Sequence, residues 1–465
     1  MSEDVKPDQP GGAEKLTFIQ KIGYGMGAMA ENNMQNAISN MMMPIMNIIM
    51  GVNPVLLGWA AAIPRVIDAF FDPVVGFLSD KTRSRWGRRK PYILLGSMLA
   101  AITFVAVWMF PRSGMSMNWY FGYFLTASLI YYLCTSVYCV PYISFGYELS
   151  TDYHERTLLM GYRMLFVSLG NLILQWNFWF VKRPIFADGV VGMRWSAVIL
   201  GVMFVLCAMG PLLLTGKHRH AEVVNPTLKR VQIKDIFSVF RVWPFVCIQF
   251  SLFVGVIGAI ATGAMTIYIS IYYIFGGDQQ SATALIGWTG TITGVLNFAA
   301  LPVITWVSRG IGKKNALMLF LALGALGSGG SWVLYTPDYP YLSILVSVLV
   351  GLSMTALWML LFSMTADVCE YDEYYNSLRR EGIFAAILSW TGKAGISIAL
   401  VLAGYVLLWS GYDQHLEHQS AITLLNMRLL YATIPTAGTL LALIAIFFYP
   451  LSERRINEIK KSLKK

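Results

Sequence analysis

Twelve stretches of about 20 mostly apolar residues, separated by short charged segments, leave this chain one environment in which to fold. Leu99–Phe110, Trp195–Leu214, and Leu440–Pro450 with the residues before it, are long apolar runs within these stretches. A helix of about 20 such residues crosses a ~30 Å hydrocarbon core. A soluble protein could bury one or two helices of this kind, but not a dozen. Only 13% of the residues are charged, against about 25% in soluble domains, and they cluster between the apolar runs. The expectation is an all-α membrane protein.

The runs fall near residues 20–49, 54–79, 91–111, 119–148, 158–181, 194–215, 244–275, 282–308, 315–336, 341–369, 384–410 and 425–450. Most of the 35 Lys and Arg lie in the two tails and in the even-to-odd connections. Arg112, Lys182, Arg183 and Arg194 fall in the other connections, and Arg65, Arg163, Lys393 and Arg428 within or at the edge of spans. Positive loops stay cytoplasmic, so a multi-pass inner-membrane protein with both termini in the cytoplasm is expected. Residues 1–16 are polar and Pro/Gly-rich, which reads as a short tail rather than a cleaved leader. The halves echo each other. Pro73-Val-Val-Gly-Phe-Leu-Ser before Gly87-Arg-Arg-Lys has its counterpart in Pro302-Val-Ile-Thr-Trp-Val-Ser before Gly312-Lys-Lys-Asn. The expected plan is a tail (1–19), a six-helix bundle (20–215), a central cytoplasmic loop with an amphipathic stretch (216–243), a second six-helix bundle (244–450) and a basic tail (451–465). Secondary transporters build two bundles around a midplane site from repeats of this kind.

Other classes drop out. The net charge of +10 comes from topology-setting loops rather than a nucleic-acid face, and nothing suggests an obligate protein partner. Cys134, Cys139, Cys207, Cys247 and Cys369 lie in apolar spans without a C-x-x-C pair, as packing residues do. Gly23-x-Gly25-x-Gly27 opens a span with no strand before it, so it is a close-packing stripe rather than a nucleotide loop. His218-x-His220 and His415-x-x-His418 lie in hydrophilic loops without companion ligands. The sequence has no Walker motif and no Ser/His/Asp set at one membrane depth. Neither an enzyme nor a cofactor is expected.

Chemistry concentrates in Arg65–Pro91. Asp68 and Asp72 are four apart, so on a helix their carboxylates leave one face a turn apart, with Arg65 near the same stripe. Carboxylates inside a span are costly and mark functional sites. They can ligate Na⁺ through hard oxygens or carry H⁺. An Arg65–Asp68 ion pair that locks helices together is the plainer alternative, although one Arg cannot neutralise both acids.

Asp72–Pro91, as D-P-x-x-G-x-x-S-D-x-T-R-S-R-W-G-R-x-K-P, closely resembles the signature after the second helix of the glycoside–pentoside–hexuronide:cation symporters, the melibiose-permease-like branch of the major facilitator superfamily. Tyr24-Gly-Met-Gly-Ala, Pro141, Arg163, Trp358, Ala366-Asp367-x-x-x-Tyr371-x-Glu373 and Lys393 extend the likeness over nearly the whole chain. The resemblance implies the major facilitator fold, with twelve transmembrane helices in two pseudo-symmetric six-helix bundles. It also implies symport of a sugar, glycoside or uronide with H⁺ or Na⁺. In galactoside carriers of that family the cation sits between two second-helix aspartates, an intervening asparagine and a fourth-helix hydroxyl. Asp68 and Asp72 match the aspartates and Ser136 the hydroxyl. Lys393 matches a lysine near the cation, and Ser389 a hydroxyl beside it. Phe71 stands at the asparagine position, which removes a Na⁺ ligand and favours H⁺, with both ions still open.

The family's two sugar-gripping carboxylates fall at Asn32 and Cys139, while Arg163 and Trp358 are kept. The machinery is shared and the substrate differs. The first span is rich in amides: Asn36, Asn40 and Asn47 lie near one face, with Asn32 a turn before. Arg163, Asn171 and Gln175 share a face of the fifth span. Amides both donate and accept, which suits a neutral polyhydroxyl ligand, with Trp358 or Trp390 to stack on it. Arg163 with Lys393 would instead hold a uronide carboxylate. The expected substrate contacts are Asn32, Asn36, Arg163, Trp358 and Lys393; interhelical packing is the alternative role for the amides. Arg65 is expected to set charge balance. Asp80, Arg88, Glu148 and Arg156 in one half, and Asp367 and Arg379 in the other, are expected to close the cytoplasmic side in the outward-facing state. The expected partners are a small solute and the bilayer. A lysolipid carrier, for which the family has a precedent, and a non-transporting sensor are the alternatives.

Overall fold

Residues 16–149, 153–215, 239–376, 381–413, 416 and 418–451, with scattered positions of the C-terminal tail, are described by the computed structural model. Their main elements are twelve long helices. In chain order they are α1 (Phe18–Met42), α2 (Pro54–Lys81), α3 (Lys90–Val107), α4 (Met117–Glu148), α5 (Tyr153–Val181) and α6 (Gly189–Leu213). There follow α7 (Trp243–Ile274, interrupted at 262–264), α8 (Gln279–Ile311), α9 (Lys313–Leu334), α10 (Ser343–Asn376), α11 (Glu381–Trp409) and α12 (Ala421–Phe447). Among the described residues, eleven of these are long and apolar enough to cross a membrane, and α1 falls short. Glu31 and the amides from Asn32 to Asn40 lower its hydropathy.

Helix ends follow from local chemistry. Thr17 and Gln20 form a capping box on α1, and the side chains of Ser116, Asp188, Asp278 and Ser420 cap α4, α6, α8 and α12. Gly87 (φ 90°) and Gly312 (φ 82°) turn the chain at matching points of the two halves, in a backbone region that glycine enters without penalty. The predicted amphipathic stretch lies largely outside the described residues; Val239–Arg241 forms one 3-10 turn.

Each half solves the same packing problem in the same way. In the first, α3 packs on α4 and α6, α1 on α5 and α6, and α2 on α4. In the second, α9 packs on α10 and α12, α7 on α11 and α12, and α8 on α10. Shifting every label by six turns one list into the other. The halves meet along two seams that obey the same rule, α2 against α11 and α5 against α8.

Small residues set the closeness of these contacts, because lipid supplies no hydrophobic drive between helices. A Cβ on Gly404 would lie 2.4 Å from the Pro54 carbonyl oxygen, and one on Gly58 2.7 Å from that of Leu400. On the other seam, a Cβ on Gly290 would lie 2.2 Å from Gln175 Cγ. These approaches sit in the half of the molecule nearest the α1–α2 loop. The Gly23 to Gly27 stripe packs closely as well: a Cβ there would meet Leu214, Phe166 or Tyr142 within 2.6 Å.

A further bridge lies at the same end. α1 runs on into a π-helical turn (Met43–Ile49), and its counterpart α7 ends in another (Ile269–Ile274). Such turns are rare and concentrate at functional sites. Between the halves, the buried Tyr268 hydroxyl donates to Asn47 Oδ1 at 2.6 Å, and Asn47 Nδ2 donates to the Val52 carbonyl at 2.8 Å.

Candidate ion and substrate sites

α2 packs on α4, so a polar stripe on α2 must find its partners there or across the seam. Ser136 Oγ of α4 bonds Asp68 Oδ1 and lies 2.7 Å from Asp72 Oδ1. From α11, Lys393 Nζ bonds Asp72 and stands 3.9 Å from Asp68 Oδ2. Asp68 and Ser136 are buried, whereas Asp72 and Lys393 remain partly open. A hydroxyl has one proton to give. Ser136 can donate to one carboxylate only, so its second close contact calls for a proton on the other acid or a cation between them. Two carboxylates and one ammonium also leave one negative charge uncompensated.

Arg65 is not bonded to either acid. Its guanidinium donates to the Gln35 carbonyl at 2.6 Å and to Ser39 Oγ at 3.2 Å, and lies 5.1 Å from the Tyr132 ring centre. The Arg65–Asp68 pair is therefore not formed here, and Lys393 takes that place. Three residues of helix offset Arg65 from Asp68 by about 60° around α2, enough to direct it to α1. Ser389, a turn before Lys393, is exposed and takes no part in these bonds.

Between the halves, towards the α1–α2 loop, lies a cavity of about 710 Å³. Asn32, Asn36 and Asn40 of α1 and Asn171 and Gln175 of α5 line one wall; Thr293 and Asn297 of α8, with hydroxyls of α7, line the other. Asn32 Nδ2 donates to Asn171 Oδ1 at 2.8 Å, and Asn36 Nδ2 to the Asn32 carbonyl at 2.9 Å. Of the predicted substrate contacts, Asn32 and Asn36 are in this wall. Arg163, Trp358 and Lys393 are not. Arg163 is bound to Glu31 at 2.7 Å, which pins α5 to α1, and Lys21–Glu155 at 2.8 Å is a second pin. Trp358 stacks on Phe362 at 6.1 Å and packs over Gly392.

Breaking a buried pair strands its partner, at a cost of roughly 3–5 kcal/mol. Arg163→Ala is therefore expected to lower the thermal unfolding temperature in detergent by several degrees, and adding Glu31→Gln should restore most of the loss. Unchanged melting with lost sugar binding would return Arg163 to the substrate.

A family model described as MFS/sugar transport protein matches residues 23–453. The chain belongs to that family. The transporter is 25% identical to the isoprimeverose transporter of Lactiplantibacillus pentosus, over 94% of this chain and 90% of that one. It is 26% identical to the inner membrane symporter YicJ of Escherichia coli (strain K12), over 97% of this chain and 96% of the relative. The crystal structure of the nucleoside transporter NupG aligns with a TM-score of 0.64 at 12% identity, covering 93% of this chain and all of that one, which speaks to the fold alone. The twelve helices are thus the two bundles of a major facilitator carrier, and the chain is not an enzyme.

The transporter's charge networks lie at the end that carries the α2–α3 and α8–α9 loops. Buried Arg89 bonds Asp80, Ser79 Oγ (2.6 Å) and Glu148 (3.1 Å), and Arg88 joins Glu148 at 2.7 Å. In the second half Lys313 bonds Asp367 at 2.6 Å. Arg379 and the Arg156 side chain lie outside the described residues. In this conformation the described pairs brace helices within each half rather than tie the halves together. Sequence reasoning named Arg88 and missed Arg89 and Lys313. The available signal was the Gly87/Gly312 repeat, since the residues just after each glycine make these bonds.

Proposed function

We propose that the transporter couples the movement of one monovalent cation, H⁺ or Na⁺, to uptake of a sugar, glycoside or uronide by alternating access of its two halves. One observation carries this reading: the Asp68–Ser136–Asp72–Lys393 cluster is one positive charge short of neutral and has a shared hydroxyl that needs a proton or ion beside it. Binding one cation neutralises the cluster, which lowers the cost of moving it through a closed, dry intermediate. Phe71, in place of a carbonyl ligand, favours H⁺.

Arg65 supplies the link to the solute. It sits one turn before Asp68 and bonds Ser39, which lines the cavity. Occupancy of either site bears on this one side chain, and the effect is reciprocal by linkage. Arg65→Gln is accordingly expected to leave both ligands bound while shrinking the factor by which cation raises solute affinity, from the 5–150-fold range typical of coupled sites towards about one. Calorimetric titration with and without cation measures it; an unchanged factor would sink this role.

The Lys and Arg of the α2–α3 and α8–α9 loops favour a cytoplasmic placement for that end, and hence for both termini, in the inner membrane. The seams then lie at the outer end, and the conformation faces inward. The amides and hydroxyls among the residues that line the cavity suit a polyhydroxyl solute. The test is electrogenic current from purified protein in proteoliposomes, challenged with glycosides, pentoses and uronides, with and without Na⁺, at two pH values. A solute-elicited current supports symport and names the ion; silence across the panel from folded protein sinks it.

A further inference from the structure

We infer that the solute is a neutral saccharide larger than a single ring, held in the 710 Å³ cavity by α8 as well as by α1 and α5, and that carboxylate-bearing sugars are rejected there. The inference rests on the symport reading and narrows its substrate. Charge decides it first. The residues that line the cavity include no Asp, Glu, Lys or Arg. The cations that would hold a uronide are already engaged, Arg163 by Glu31 and Lys393 by Asp72. A carboxylate drawn into this space would shed its water and meet no charged side chain in the lining, with Arg65 held behind Ser39.

Hydroxyls face the opposite situation. Asn32, Asn36, Asn171 and Gln175 offer both donors and acceptors from the first half. On the facing wall, Thr293 Oγ1 and Asn297 Oδ1 are buried with no hydrogen-bond partner among the described residues. Buried polar atoms are rarely left unmet, and each exception calls for an explanation. A sugar hydroxyl supplies it when a turn of these side chains away from Gly351 brings the atoms to the cavity they line, donating to Asn297 Oδ1 and accepting from Thr293. Internal symmetry points to the same residue: the offset that carries Pro73 to Pro302 carries Asp68 to Asn297. The second half thus presents a neutral amide where the first presents an ion-binding acid. The volume lies in the upper part of the roughly 300–1,000 Å³ range of small-molecule sites, more than one pyranose fills.

The test is calorimetric binding to the full-length protein in detergent, using cellobiose, xylobiose, lactose and melibiose, methyl β-glucoside, and methyl β-glucuronide as the charged twin of the last. At least one neutral disaccharide should bind, and more tightly than the monosaccharide, while the glucuronide binds at least tenfold more weakly than methyl β-glucoside. Asn297→Ala should weaken the disaccharide at least tenfold while the melting temperature of the unliganded protein changes by no more than the lost packing on Gly351 costs, because Asn297 Oδ1 makes no hydrogen bond among the described residues. A glucuronide as tight as the glucoside, no binding by any neutral sugar, or an affinity untouched by Asn297→Ala would overturn the inference. A uronide that binds and drives current would overturn it while leaving symport standing. A neutral sugar that binds through Asn297 yet draws no cation would do the reverse.

Discussion

Asp72→Asn is expected to abolish accumulation of solute against its gradient while sparing downhill exchange. The amide keeps the size of the carboxylate but removes one negative charge, so Asp68 alone balances Lys393 and the cluster is neutral without a cation. A carrier that is neutral when empty can cross through its closed state unloaded, and the obligation to carry an ion disappears. Solute should equilibrate across the membrane, a loss of at least about tenfold in accumulation ratio, while counterflow of labelled against unlabelled solute persists. Uptake and counterflow in the same proteoliposomes separate these effects. Retained accumulation would remove Asp72 from the ion site, and loss of counterflow as well would point to general damage. Asp68→Asn should behave alike, because the charge count is the same.

The second large effect is expected at the seam between α2 and α11. Gly58→Val combined with Gly404→Val forces branched side chains against backbone carbonyls that already stand 2.7 and 2.4 Å from where a Cβ would be. A backbone cannot swing aside as a side chain can. Overpacking costs about 1–3 kcal/mol per site, and each 1.4 kcal/mol is a tenfold change in population. The double variant should abandon the conformation described here for one parted at the α1–α2 loop end, and transport should fall by more than about tenfold. Labelling of a cysteine placed at Asn40, in the cavity wall, by an impermeant thiol reagent added outside should speed up correspondingly. Unchanged labelling with unchanged transport would show that the seam is not a closing surface.

Much of this molecule was legible in the residues. Twelve apolar runs yield twelve helices, the repeated Pro and Gly motifs yield two halves related by one rule, and Asp68 and Asp72 do meet Ser136 and Lys393. What escaped has a common cause. Spacing along a helix says which side chains share its face, but the partner depends on how far each neighbouring helix is rotated and how closely it packs. Arg65 was near the acidic stripe yet found α1, Glu31 proved to be the partner of Arg163, and Trp358 packs among the helices of its own half. Among the consecutive cations after Gly87, the turn at that glycine determines that Arg89 is the buried one. Asn297 and Thr293 looked like ordinary polar residues because nothing in one helix reveals that its neighbours leave them unmet.

The paired π turns at the ends of α1 and α7 bear on how the closed end near the α1–α2 loop could open. A π turn holds one residue more than the α turn it replaces. Drawing that residue back into α register rotates everything beyond it by about 100°. Asn47 lies inside the first turn and Tyr268 directly before the second, so rewinding a turn shifts its residue relative to the partner and pulls that bond out of line. Opening would then begin as a local slip of helix register, ratcheted and reversible, before any large body has to rock. Because the two turns are symmetry mates, either half can start it.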